Sequence, residues 1–295
     1  MASRDELWLR GVLLERRTTY GQAVVRDGVL HARDVLADAR LLAACDDAAL
    51  RAEPLVRALT DARVRLVTTC DSATEATTTL TITIDGVSIV SDAEHADDDA
   101  AVLRALVAQP PTAAYVEPLP LVWRNGTAAV LFHEAAGHPA EHGAPPLAWP
   151  QWLEVRDVAK AGDADLLRGE LPRALRRATF RDVPRPRMSR VVVAQRDAPW
   201  PTPRSHVEVL LVAGGGYDAV TDEVTLRIAI ADRIDGERRT RLAPFALQAP
   251  RARVARAVAG ARGEPRRYPG VICSREGQEL VVGSFAADVL TEPFA

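Results

Sequence analysis

Lysine is all but missing from this 295-residue chain; arginine supplies nearly all of the 37 basic residues. We read that bias as the mark of a GC-rich genome rather than of function. Acidic residues number 40, and the formal charge of −3 excludes a nucleic-acid binder that works through a basic surface. No apolar run approaches the ~20 residues of a membrane helix. The opening MASRDELWLR lacks the basic-then-apolar order of a secretion signal. Three cysteines, Cys45, Cys70 and Cys273, are too few for a disulfide framework in so long a chain. There is no phosphate-cradling P-loop and no Rossmann fingerprint, which excludes those nucleotide enzymes. The expectation is a soluble, cytoplasmic protein that contacts neither membrane nor nucleic acid. With 47% hydrophobic and 26% charged residues, the chain is globular and long enough for two domains.

Three hairpins stand out. Asp27-Gly28, Asp85-Gly86 and Asp235-Gly236 each lie between β-prone runs, and Asp-Gly supplies the positive φ angles of a type I′ turn. Leu80, Ile82 and Ile84 alternate with threonines, the period of a half-buried strand. Helical spacing marks 32–44, 49–62, 97–109, 163–178 and 251–261, with Pro172 breaking or restarting the fourth. Gln109-Pro110-Pro111-Thr112 is the best boundary. The predicted class is α+β: an N-terminal α/β domain over 1–110 with hairpins and helices, and a C-terminal domain over 111–295. The latter carries a distorted site helix and is rich in antiparallel β structure.

The chemistry concentrates in LPLVWRNGTAAVLFHEAAGHPAEHGAPP. An apolar strand ends at Arg124-Asn125-Gly126, and a helical stretch then reaches His133-Glu134-Ala135-Ala136-Gly137-His138. Three of the six histidines fall within 133–142. Neutral imidazole is a good zinc ligand, and zinc brings the pKa of its water to ~7. A carboxylate beside that water, here Glu134, can take its proton and pass it to a leaving amine. The histidines are five apart, not the four of the common zinc helix. Five residues rotate a regular helix by roughly 140°, too far for one metal. The helix must therefore widen into a π-like turn, or end, between them. Gly137 sits where the distortion is needed, and Pro139 discourages regular continuation. The third ligand must come from elsewhere. Cys273, at the end of a short apolar strand before a polar turn, is the best candidate; Cys45 and Cys70 read as core or incidental.

AVLFHEAAGHPAEHG resembles the signature of the TldD/PmbA family of metallopeptidases, in its TldD-type form. Downstream, PRPRMSR (184–190), the Gly-rich AGGGYDAVTDEVTLRIAIADRIDG (213–236) and GVICSREGQELVVG (270–283) resemble further family segments in the same order. The resemblance spans roughly 117 to 290. It implies a zinc-dependent peptidase acting on unfolded or extended peptides, with one Zn²⁺ per chain on His133, His138 and Cys273 and Glu134 as general base. It also implies a supporting role for Glu141 and a place near the cleft for Gly214, Gly215 and Gly216. Family members form dimers, so a homodimer, or a heterodimer with a related subunit, is expected. The chain is shorter than typical members, mainly before residue 117 and between about 155 and 180. Arg190 stands where the family has Asn, and His142-Gly143 where it has Gly and an acid.

Other readings compete. The chain can be a non-catalytic, metal-containing subunit that binds peptides or a partner; stoichiometric zinc without turnover would mark it. Cys273 can instead be a thiol nucleophile with a histidine base. His142 is read as an exposed helix-end residue. Gly214–Gly216 is a bulge or tight turn, a reading compatible with a cleft role. Asp97-Asp98-Asp99 is read as an acidic first helical turn favoured by the dipole, and the arginine-rich stretches 173–190 and 251–266 as solvated faces. His31, His95 and His206 have no evident partners.

Overall fold

In the computed structural model, the described residues are 2–20, 22–26, 29–33, 39–72, 75–116, 118–178, 182–201, 203–275 and 277–294. The architecture is mixed α+β, as the patterning predicts. Two compact units are distinguished: Met1–Val107 with Arg176–Arg185 and Ile272–Val281, and Ala108–Leu175 with Pro186–Val271 and Val282–Ala295.

The first unit holds an antiparallel sheet in the order Val12–Tyr20, Ala2–Leu9, Arg63–Ser72, Glu75–Ile84, Val87–Asp92. Arg63, Arg65, Val67 and Thr69 face outward or sit half-buried, while Val64, Leu66, Thr68 and Cys70 are buried, the strict alternation of a sheet covered on one face. Helices Ala39–Ala58 and Ala96–Val107 pack against this sheet. Asp85 and Gly86 take φ values of 48° and 79°, as the type I′ turn requires, and Ile84 pairs with Val87 across it. The Asp27-Gly28 turn lies outside the described residues, though Gln22–Arg26 and Val29–Arg33 pair on either side of it. The acidic triplet opens helix Ala96–Val107; Asp99 is buried and accepts a hydrogen bond from Ser91 Oγ.

Two helical expectations change. The patterns at 32–44 and 49–62 become one helix, Ala39–Ala58, with Pro54 inside it, while Ala32 and Arg33 end a strand. The segment 163–178 is not a helix. Ala164–Asp165 is a short strand, Leu166–Arg168 one 3₁₀ turn, and Leu175–Arg176 another short strand. Asp165 Oδ1 caps Leu167 and Arg168, Gly169 turns left-handed at φ 72°, and Pro172 follows, so helical spacing loses to local stop signals.

The second unit is built on a mostly antiparallel sheet running Arg238–Leu242, Glu223–Asp235, Ser205–Asp218, Leu121–Trp123, Gln278–Thr291. Leu121–Trp123 is fully buried, parallel to Val207–Val209 and antiparallel to Val289–Thr291. Arg190–Gln195 runs parallel to Gly283–Ala286 and antiparallel to Leu153–Asp157. The hairpin expected at Asp235-Gly236 forms, but one residue later: Glu223–Asp235 returns as Arg238–Leu242 with Asp235 paired to Arg238, so Gly236-Glu237 makes the turn and Gly236, at φ 61°, takes the positive φ instead of both Asp235 and Gly236. Helix Arg251–Ala257 is cut short at Val258, where a long strand begins.

Candidate metal centre

The site is positioned by a turn that few sequences allow. Asn125 and Gly126 both take positive φ, 52° and 82°. A Cβ on Gly126 would stand 2.7 Å from the Arg266 carbonyl oxygen and 2.9 Å from Tyr268 Cβ, so only glycine fits. Thr127 Oγ1 bonds the Arg124 carbonyl at 2.8 Å, and helix Ala128–Phe132 starts there, buried on all sides.

That helix passes into one π turn, His133–Gly137, then into His138–Glu141. The His138 backbone N–H donates to the His133 carbonyl, the i→i+5 bond of a π turn. The widening resolves the five-residue spacing: the two rings lie 4.8 Å apart between centroids and at 90° to each other. Gly137 is needed for a reason other than flexibility. Its φ of −67° suits any residue, but a Cβ would fall 2.1 Å from Met188 Sδ. The glycine makes room for Met188.

His133 and His138 belong to the second unit and Cys273 to segment Ile272–Val281 of the first; by their donor atoms the three make a group that could hold a metal ion. His133 is fully buried, and among the described residues neither of its ring nitrogens has a hydrogen-bond partner. Leaving a buried polar group unsatisfied costs about 1–3 kcal/mol, and among the described residues no protein group relieves that cost at His133. Two imidazoles and a sulfur fit zinc among divalent ions.

Glu134 is buried, with Oε2 at 3.6 Å from His138 Nε2. The Gly-rich segment lies on it: a Cβ at Gly215 would meet Glu134 Cγ at 2.7 Å and the Thr225 carbonyl at 2.8 Å. Gly214–Gly216 sit in strand Ser205–Asp218, paired with Arg227, Leu226 and Thr225, just after register shifts between Val209 and Gly214. Gly216 faces open space. The irregular part of the strand thus leads into the glycine that packs on Glu134.

Glu141 accepts from the Met188 N–H at 2.9 Å and contacts His138 Nδ1 at 3.2 Å and Arg187 Nε at 3.6 Å. Burial acts to raise its pKa, but the His138 ring, the Met188 N–H and the Arg187 charge outweigh it and bring the carboxyl to about 2. His142 is exposed at the helix end, its ring 5.9 Å from that of Tyr217. Cys45 and Cys70 lie together in a buried cluster with Leu41, Leu42 and Ala44.

Sequence reasoning missed Arg187 and Asp157. Arg187 is 2% exposed and Arg251 is 3% exposed, so neither arginine-rich stretch is a uniformly solvated face. Arg251 binds Asp222 and the Pro145 carbonyl, both at 2.9 Å. Asp157 Oδ1 accepts the Ser189 and Arg190 N–H groups at 2.7 and 2.9 Å. Arg187 stands in the noted Pro-Arg-Met segment, but nothing in the sequence pairs it with Glu141.

The mixed sheet with its site helix is a TldE-like fold. The chain is similar to TldE from Thermococcus kodakarensis, with a TM-score of 0.52 at 10% identity over 99% of this chain and 94% of that one. A Bacteroides thetaiotaomicron protein described as a putative modulator of DNA gyrase aligns at a TM-score of 0.45 and 11% identity, over 99% and 93% of the two chains. No family model and no curated protein sequence matches the chain. Among the described residues, no helix is long and apolar enough to cross a membrane.

Proposed function

We propose that the chain is a zinc-dependent peptidase of the TldD type acting on extended peptides, with residues 111–295 as its catalytic domain and 1–110 as a separate N-terminal domain. The observation that carries this reading is the π turn, which brings His133 and His138 together beside Glu134. His133 Nδ1 or Nε2, His138 Nε2 and the Cys273 sulfur would hold one Zn²⁺ per chain. When bound, zinc supplies Lewis acidity that polarises a carbonyl and activates water near neutral pH. Glu134 accepts the proton of the attacking water and delivers it to the leaving nitrogen. Its burial keeps bulk water away from that transfer.

Substrate backbone is recognised by strand addition. The parallel partner of Ser205–Asp218 stops at Val209, and the Tyr268 hydroxyl takes the Val212 N–H and carbonyl, so beyond Val212 this strand is paired along one edge only among the described residues. An extended peptide laid along Gly214–Gly216 pairs with the open edge and passes over Glu134, giving affinity with little dependence on side chains. The protein works in the reducing cytoplasm as a homodimer or with a related subunit.

The experiment is metal analysis with cleavage of a panel of unfolded peptides by wild type and Glu134→Gln. The reading expects about one zinc per chain in both, turnover in the wild type, and its loss in the variant. Zinc with no turnover on any peptide would instead make the chain a peptide- or partner-binding subunit. Turnover abolished by a thiol alkylator and indifferent to chelation would make Cys273 a nucleophile.

A further inference from the structure

Glu141 divides its two oxygens between different tasks. Oε1 receives the Met188 N–H at 2.9 Å and faces Arg187 Nε at 3.6 Å. Oε2 faces His138 Nδ1 at 3.2 Å. Asp157 pins the next two residues through the Ser189 and Arg190 N–H groups. Segment 187–190 is thus tied to two buried carboxylates by three backbone hydrogen bonds, and Met188 fills the space that Gly137 leaves on the π turn. Carboxylates flank both ring nitrogens, but Glu141 Oε2 at 3.2 Å from Nδ1 is within hydrogen-bond distance and Glu134 Oε2 at 3.6 Å from Nε2 is not, so the neutral ring carries its proton on Nδ1 and keeps the Nε2 lone pair for the ligand cluster. His133 has no such partner among the described residues.

We propose that Glu141 is a positioning residue that selects the Nδ1–H tautomer and the ring orientation of His138, and that Arg187 and Met188 hold Glu141 in place to do so. Its purpose rests on the metal-centre reading, but the hydrogen-bond geometry stands without it. One of the two histidines is therefore preset by a carboxylate of the fold.

The test is long-range ¹H–¹⁵N NMR of the histidine rings in the metal-free full chain, alongside zinc competition titrations. In the wild type, His138 is expected as the Nδ1–H tautomer. Glu141→Ala should shift it toward Nε2–H and weaken zinc affinity by about 10–100-fold. Glu141→Gln, whose amide oxygen still accepts from Nδ1–H, should restore the tautomer and part of the affinity. Arg187→Met should weaken affinity in the wild-type background and add little to Glu141→Ala. Should Glu141→Ala misfold by circular dichroism, the Gln variant and Arg187→Met still decide. An unchanged His138 tautomer in a folded Glu141→Ala variant, or a wild type already in the Nε2–H form, overturns the proposal. A wild type that binds no zinc defeats the metal-centre reading, while the NMR result still judges Glu141.

Discussion

Both units bury charged and polar groups, but they treat them differently. In the first, the fully buried Glu6 is saturated: Arg4 Nε and Arg16 Nε each donate at 2.6 Å and Trp8 Nε1 at 3.0 Å. Arg4 also reaches Asp46 at 2.9 Å. In the second, His133 is equally buried and both of its ring nitrogens lack a partner among the described residues. A satisfied buried cluster locks a fold, whereas an unsatisfied one is kept at a stability cost because something else completes it.

The sharpest way to break this comparison is at Glu134. Glu134→Gln is expected to lower peptide turnover on the order of 10²–10⁴-fold, the usual contribution of a positioned general base, with zinc content unchanged. Steady-state kinetics with metal analysis on the same sample reads both. Next comes Glu6→Ala, which leaves the buried Arg4 with Asp46 but without its nearer carboxylate, and Trp8 Nε1 without its acceptor. Denaturant unfolding should show a loss of about 3–5 kcal/mol, with zinc affinity untouched once the protein is folded. His133→Leu is the inverse case. It should abolish zinc binding, yet leave the metal-free chain as stable as the wild type or about 1 kcal/mol more so, because an unsatisfied polar group is replaced by an apolar one. A large destabilisation there would mean that the ring is held by the fold for its own sake.

A packing variant tests the π turn. Gly137→Ala should cost about 1–3 kcal/mol by forcing Met188 aside, and Met188→Ala in the same chain should recover part of that loss. The smallest effect is electrostatic. Burial acts to raise the pKa of Asp232, but Arg241 and Arg239 outweigh it; burial likewise acts on Glu208, where Arg124 and Arg239 prevail, so both carboxyls end lower than usual. Carboxyls held low in the folded state stabilise it fully above their unfolded pKa, about 4, and lose that contribution as pH falls through the lower folded values. Stability measured by denaturant should therefore fall below about pH 4, and Asp232→Asn should flatten that limb.

Much of this was legible because the relevant signals are local. The Asp85-Gly86 turn, the threonine-spaced strand and the acidic first turn at 97–99 depend on neighbours within a few residues. The five-residue His133–His138 spacing called for a π turn or a break, and a π turn is what forms. The rest depends on partners distant in sequence. The Arg10-Gly11 turn, with φ of 50° and 75°, joins the first two strands without the Asp-Gly signal. Pro54 is carried inside helix Ala39–Ala58, which packs on the sheet, so tertiary burial overrides a local breaker. The need for glycine at 137 is set by Met188, and Arg187 finds Glu141 across 46 positions of the sequence. Spacing rules contain neither contact.

The central claim is most directly tested by zinc K-edge X-ray absorption on the purified full chain. The account predicts stoichiometric zinc with one sulfur near 2.3 Å and two imidazole nitrogens near 2.0–2.1 Å, the sulfur shell vanishing in Cys273→Ser. Zinc ligated without sulfur, or a chain that retains none at micromolar concentration, would contradict it.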